Sequence, residues 1–264
     1  MKKTCCIASA LACAGLVAAT PATAAVTSTK SATKIARAIV KDSSQLRSAR
    51  WIKRPLSGRP AAVSSSKIAG FPVSGGGSTF GLLSTGDATK IRSSNSEEDL
   101  SHNNRGFKYR GTRDTIILRI DITAPRNARC LSLNFRFLSE EYPEYIDSEF
   151  NDAFIAEVDK TTWNAATGGG KIIAPRNFAK VGAGRNVSVN GAGNFAVLPA
   201  RAKNTTYDAG TRRLRASTPI TPGRHSVYLT IFDQGDHQYD STVMLDRMVA
   251  GPRTPCVSGA SLNF

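Results

Sequence analysis

The segment DTIILRIDITAPRNARCLSLNFRFLSEE, residues 114–141, holds two runs of period-two alternation separated by a turn. In the first, Ile116, Leu118, Ile120 and Ile122 alternate with Ile117, Arg119 and Asp121. In the second, Leu131, Leu133, Phe135 and Phe137 alternate with Ser132, Asn134 and Arg136, and Cys130 opens the run on its outward side. Successive side chains of a strand point to opposite faces, so each run reads as a strand with one face in a core. Ala124, Pro125, Arg126 and Asn127 supply turn chemistry between them.

The pattern recurs on both sides. RHSVYLTIFD, residues 224–233, sets Val227, Leu229 and Ile231 against Tyr228 and Thr230, and residues 152–158 offer Phe154, Ala156 and Val158 as an inward set. A strand through Val243 and Leu245 follows over residues 242–249, and Phe80, Leu82 and Leu83 mark another between glycine-rich turns. Ile172, Ile173, Val187 and Val189 suggest short strands. Many short strands without long helical periodicity predict an all-β fold, an antiparallel β-sandwich or jelly roll. One short N-terminal helix is expected, where Ile35, Ala36, Ile39 and Val40 fall on one face.

The chain has 264 residues, 41% of them hydrophobic, enough for a substantial core. Lys2 and Lys3 precede an apolar stretch over residues 5–19, and Ala22, Thr23 and Ala24 form a small-residue cleavage site. Residues 1–24 therefore read as a secretory signal peptide, and no later run is long enough to anchor the mature chain in a membrane. Cys5, Cys6 and Cys13 fall within the signal, leaving Cys130 and Cys256, which are expected to pair in an oxidising compartment; two unrelated thiols are the alternative.

Net charge is +15, and +13 once Lys2 and Lys3 are removed. Nine basic residues between Lys30 and Arg59 face a single acid, Asp42, so residues 25–66 read as a basic arm carrying the short helix, ahead of a β-sandwich domain over residues 67–264. Residues 26–33 are expected to be mobile and residues 47–66 irregular. No nucleic-acid motif or aromatic platform accompanies the basic run, so nucleic acid is not an expected partner; an anionic surface polymer is. Gly75, Gly76 and Gly77 lack the Lys-Ser/Thr ending of a phosphate loop and read as a flexible turn, and residues 93–111 as a long surface loop.

Acid is concentrated in two places. Residues 135–159 and 232–246 together hold 12 of the 20 acidic residues. Carboxylates this dense repel one another unless solvated or sharing a cation, and hard oxygen donors in quantity point to calcium. The candidate ligands are Glu140, Glu141, Asn151 and Asp152 from the first run and Asp233, Asp236 and Asp240 from the second, with Gly235 permitting a tight turn. The two runs adjoin the strands at residues 131–137 and 227–231, and placing those strands as neighbours brings them together. The competing reading has these acids capping turns and pairing with Arg. The D-x-D-x-D-G register of an EF-hand is absent, and zinc is disfavoured because paired His or Cys spacing is missing. Glu140 or Glu141 opposite Asp236 is a conceivable glycosidase pair. His102, His225 and His237 do not build a serine-hydrolase site, since no G-x-S-x-G is present; His237 reads as a loop residue touching the ion-site region.

Three stretches, GFPVSGGGSTFGLLSTGD (residues 70–87), CLSLNFRFLSEEYPEYIDSEFNDAFIAEVD (130–159) and LRASTPITPGRHSVYLTIFDQGDHQYDSTVMLD (214–246), resemble the choice-of-anchor L family. The resemblance implies an extracellular, mainly β domain with no established general activity, found with various anchoring devices. The tail RMVAGPRTPCVSGASLNF carries no sorting motif, so release or charge-mediated wall association is expected. The functional expectation is a secreted, calcium-stabilised binding or adhesion module for a glycan or anionic cell-surface polymer. The alternative is a secreted hydrolase of surface polysaccharide.

Overall fold

The two alternating runs of residues 114–141 become interior strands of two different sheets. The structure is a computed structural model and describes residues 25–54, 57–72, 79–92, 108–166, 171–182, 184–191 and 198–262. The expected signal peptide, the triple glycine and most of the expected surface loop over residues 93–111 lie outside these. One sheet runs, in order, β1 (Val26–Ser28), β3 (Ala61–Ser64), β4 (Phe80–Ser84), β12 (Ser241–Gly251), β6 (Cys130–Ser139), β10 (Leu214–Pro219) and β13 (Gly259–Leu262). The short β9 (Ala209–Gly210) pairs with the end of β6 as its eighth strand. The second sheet runs β2 (Leu46–Lys53), β5 (Arg113–Ala124), β11 (Gly223–Asp233), β7 (Ala153–Val158) and β8 (Val187–Ser188). The sheets are antiparallel and pack as a sandwich.

The core is the sum of the inward sets. Ile116, Leu118, Ile120 and Ile122 of β5, Val227, Leu229 and Ile231 of β11, and Phe154 and Ala156 of β7 meet Leu131, Leu133, Phe135 and Phe137 of β6 and Val243 and Leu245 of β12. Phe135 and Phe154 touch across the sandwich with ring centroids 5.1 Å apart. Truncating such a buried aromatic to Ala costs about 3 to 5 kcal/mol. The outer faces are covered as well. Phe71, Phe80, Leu82, Leu138, Tyr207 and Met244 pack outside the first sheet, and Ile117, Ile155, Trp163 and Phe232 outside the second. That second layer is why β4 is buried at all five positions and reads as a continuous apolar run.

The N-terminal helix, α1 (Ala32–Ile39), buries Ala32, Ile35, Ala36, Ala38 and Ile39 and is capped by Ser31, whose Oγ accepts the Lys34 N–H at 3.2 Å. It packs against β2 of one sheet and β3, β4 and β12 of the other. Gly81 leaves room for it: a Cβ there would lie 2.8 Å from Ile39 Cγ1.

Two expectations are corrected. Residues 26–33 are ordered: Val26–Ser28 pairs with Ser64, Val63 and Ala62, and the helix starts at Ala32. Residues 47–66 are not an irregular connection, because they include most of β2 and all of β3. The physical reason is legible in the register. Strand β2 lies at a sheet edge with half its residues in solvent, and irregularities between Leu46 and Ser48 and between Trp51 and Lys53 break the period. Its inner set is Leu46, Ala49 and Trp51, and Trp51 Nε1 donates to the Lys30 carbonyl at 2.8 Å. Strands β10 and β13 were not anticipated either. Half of their inward residues are small, Ala216 and Ala260 beside Leu214 and Leu262, and the strands are short, which gives a weak hydrophobic signal.

Cys130 and Cys256 are joined in a disulfide with Cα atoms 5.5 Å apart. Cys130 opens β6 with the outward parity expected of it, yet is buried, because the bridge and the C-terminal tail cover it. The bridge sits at the start of β6; the acidic residues lie beyond its other end.

Candidate metal centre

Both acidic runs are crossovers between the sheets. The first leaves β6 at Ser139 and enters β7 at Ala153; the second leaves β11 at Asp233 and enters β12 at Ser241. Phe232 is paired with Ala153 in one sheet and Ser241 with Ser139 in the other, so register places Asp233 beside Asp152 and Asp240 beside Glu140. Strands β6 and β11 are therefore not neighbours within a sheet, as the sequence reading had them. They face each other across the core, and the runs meet because both cross at the same end.

Strand alternation then sorts the carboxylates. Glu141 continues the inward series Phe135, Phe137; Asp152 continues Phe154, Ala156 backwards; Asp233 continues Leu229, Ile231. These three converge, each offering an oxygen within 4.8 Å of the others, and all are buried. The Asp152 N–H donates to Glu141 Oε2 at 3.0 Å, and the Gln234 N–H to Asp152 Oδ1 at 3.1 Å. Neither oxygen of Asp233, at 0% exposure, has a hydrogen-bond partner, nor does Asp152 Oδ2. Among the described residues no Lys or Arg is paired with any of the three.

The electrostatics follow from that geometry. Burial, with the charges of Asp236 and Asp240 added, pushes the Glu141 carboxyl up to about 8 against the lowering bond from Asp152 N–H. Burial and the charges of Glu141 and Asp233 raise Asp152 well above its ordinary value, and burial with Glu141, Asp236, Asp240 and Asp114 does the same to Asp233. Three carboxyls in a dry place without a counter-charge either stay protonated or share a cation. An all-oxygen donor set suits calcium or another hard divalent ion.

The other candidates lie around the trio. Asp240 accepts Thr85 Oγ1 at 2.9 Å, and its charge bears on Glu141 and Asp233. Its carboxylate occupies space that only a glycine leaves open: a Cβ on Gly86 would lie 2.1 Å from Asp240 Oδ2. Asp236 is half-buried and accepts the Gln238 N–H at 3.0 Å, capping the turn in which Gly235 takes φ 122°. Asn151 Oδ1 accepts the Asn190 N–H at 2.9 Å, while its own N–H donates to the Gln234 carbonyl. Glu140 has the opposite parity and turns toward the outer layer, where burial first and Glu140 second raise the Tyr207 phenol.

Thr85, Gly86 and Asp114 were missed by sequence reasoning. Asp114 opens the first alternating run, and only the fold places its charge near Asp233. His237 Nδ1 lies 2.6 Å from Asp114 Oδ2, and His237 Nε2 2.7 Å from Arg113 Nη1, so this histidine belongs to the surroundings of the site.

A family profile described as the choice-of-anchor L domain matches residues 63–248. Curated proteins yield no match. Among solved structures, one described as TmCBM61 in complex with β-1,4-galactotriose aligns at 9% identity and a TM-score of 0.28, covering 79% of this chain and 90% of that one. The enzymatically active domain of bacteriophage CBA120 tailspike protein 4 aligns at 9% identity and 0.27, covering 82% of this chain and 20% of that one. Likenesses this loose carry nothing about a ligand. Among the described residues no helix is long and apolar enough to cross a membrane.

Proposed function

Because this chain belongs to the choice-of-anchor L domain family, we propose that it is a secreted β-sandwich binding or adhesion module stabilised by calcium at Glu141, Asp152 and Asp233. The observation that carries the calcium reading is the buried Asp233 carboxylate, which has no hydrogen-bond partner and points its charge at two other buried carboxyls. Calcium would neutralise all three, with backbone carbonyls and water completing six to eight oxygens. The ligand on this reading is a glycan or other cell-surface polymer, and the net charge of +15, or +13 once Lys2 and Lys3 are removed with the signal, favours an anionic one.

Burial of Glu140 and Glu141, each 1% exposed, speaks for an ion rather than for polysaccharide hydrolysis by either of them with the half-buried Asp236, since a sugar chain cannot reach the buried member of the pair. Thermal melts in calcium and in chelator test the ion. A glycan array and a hydrolysis assay on the same protein test the rest: binding without turnover supports the module, and turnover supports the hydrolase.

A further inference from the structure

A second charged site, opposite in sign, lies on the outer face of the eight-stranded sheet. Arg136 of β6 alternates with the inward Phe135 and Phe137 and so points away from the core, yet it is only 4% exposed. Its Nε donates to the Thr211 carbonyl at 3.0 Å, and its Nη1 and Nη2 donate to the carbonyls of Ala69 and Arg201. These bonds tie three chain segments together, but carbonyls do not neutralise a guanidinium. Arg136, Arg201, Arg212 and Arg213 line one open cavity of about 390 Å³ with Gly70 at its rim. No carboxylate is among its described lining residues. Arg201 Nε is buried there without a hydrogen-bond partner.

Cations gathered in a partly dry cavity repel one another, and the effect is visible at Arg136. Burial first, then the charges of Arg201 and Arg213, lower its pKa to about 10. Three of the five N–H donors of Arg136 serve backbone carbonyls, leaving two, and the guanidinium fork matches two oxygens of a phosphate, sulfate or carboxylate group. An anion in this cavity would offset the repulsion and satisfy Arg201 Nε.

We propose that this cavity is an oxyanion site for a phosphate or sulfate group, with Arg201 and Arg213 as the principal ligands above the buried charge of Arg136. Two sources present that chemistry, a free ion and a charged substituent on a polysaccharide. The polysaccharide source rests on the glycan reading above; the site itself does not, and it is independent of calcium.

The test uses the full mature chain. Inorganic sulfate is titrated in calorimetry at constant ionic strength against wild type, R201Q/R213Q and a control of equal charge loss, R126Q/K160Q, whose residues are exposed and do not line the cavity. Saturable binding is expected in wild type and control, weakened at least tenfold in R201Q/R213Q. Without sulfate the double variant should melt at or above the wild-type temperature, since repulsion is relieved. If it does not fold, R213Q alone is read, with a weakening of several-fold expected. Unsaturable binding in wild type, equal affinity in the arginine variant, or equal loss in the control overturns the site. Dextran sulfate competing with sulfate while unsulfated dextran does not supports the polymer as the source. Sulfate binding without that competition keeps the site and assigns it to the free ion.

Discussion

The backbone N–H of Asp152 donates to Glu141 Oε2 at 3.0 Å, so one carboxylate of the trio is oriented by the residue that supplies another. The bond closes the first crossover on itself, and Gln234 N–H on Asp152 Oδ1 joins it to the second. Any cation held here is therefore bound by both crossovers together.

The first expectation concerns charge at that point. Asp233→Asn keeps shape and removes a charge that has no partner. In chelator the variant should melt at or above wild type. In calcium at about a hundred times the dissociation constant, wild type should gain about 5 to 10 °C in Tm, and the variant little of it. Glu141→Gln should behave alike. Equal calcium gains in wild type and both variants would reject the site.

The second concerns pH. A carboxyl whose folded pKa is raised binds its proton more tightly in the native state, so its contribution to stability is present below the unfolded value and lost as pH rises. For Glu141, from near 4.5 to about 8, chelated protein should lose stability through that interval, with Asp152 and Asp233 acting in the same direction. Calcium replaces the protons, so the gap between calcium and chelator melts should widen from pH 5 to pH 8. A gap constant over that range would contradict the assignment.

The third tests the space beneath Asp240. Gly86→Ala puts a methyl group into the Asp240 carboxylate and should cost about 1 to 3 kcal/mol in urea unfolding. Gly251→Ala, where a Cβ meets nothing within 4 Å, is the matched control and should be near neutral. Comparable effects of the two would show that the close approach is not maintained in solution.

The fourth addresses the N-terminal segment. Ile35 and Ile39 are fully buried, and Ile39→Ala should cost about 2 to 5 kcal/mol. Deleting residues 26–31 removes strand β1, the Ser31 cap and the Trp51 bond to Lys30, so it should lower Tm. A deletion melting like wild type would mean that this segment only rests on the domain.

The fifth concerns the disulfide. Cys256→Ser opens a bridge spanning 126 residues and should destabilise by about 2 to 4 kcal/mol. Mass analysis of the wild-type protein produced in an oxidising compartment should find no free thiol at Cys130.

Legibility in the sequence tracked how regular the period of the inward apolar residues is, not how much of each strand is buried. Residues 116–122, 131–137 and 227–231 each keep a strict inner set, and their strands stand where alternation put them. Strand β2 escaped notice because its irregularities change phase, and β13 because it offers only Ala260 and Leu262 as an inner set. In the acidic runs the same alternation separates Glu141 from Glu140 and Asp152 from Asn151, so part of the trio was readable from parity. That the two runs cross between sheets was not, since β6 and β11 could as well have been neighbours. The arginine cavity was least accessible: positions 136, 201, 212 and 213 share no local pattern and meet only through the fold.

Strands β1 and β13 are the first and last described, and they occupy opposite edges of the same sheet. A tensile load on the two ends of the chain would thus pull across that sheet and begin by peeling an edge strand. On the C-terminal side peeling can advance only from β13 back to Cys256, where the bridge hands the load directly to Cys130 in the interior strand β6. The 126-residue span between the cysteines, which holds both acidic crossovers, is then shielded from extension. Stretching by force would draw chain from the two outer segments first, while the span that holds both acidic crossovers keeps its ends fixed at the bridge and its three buried carboxyls together.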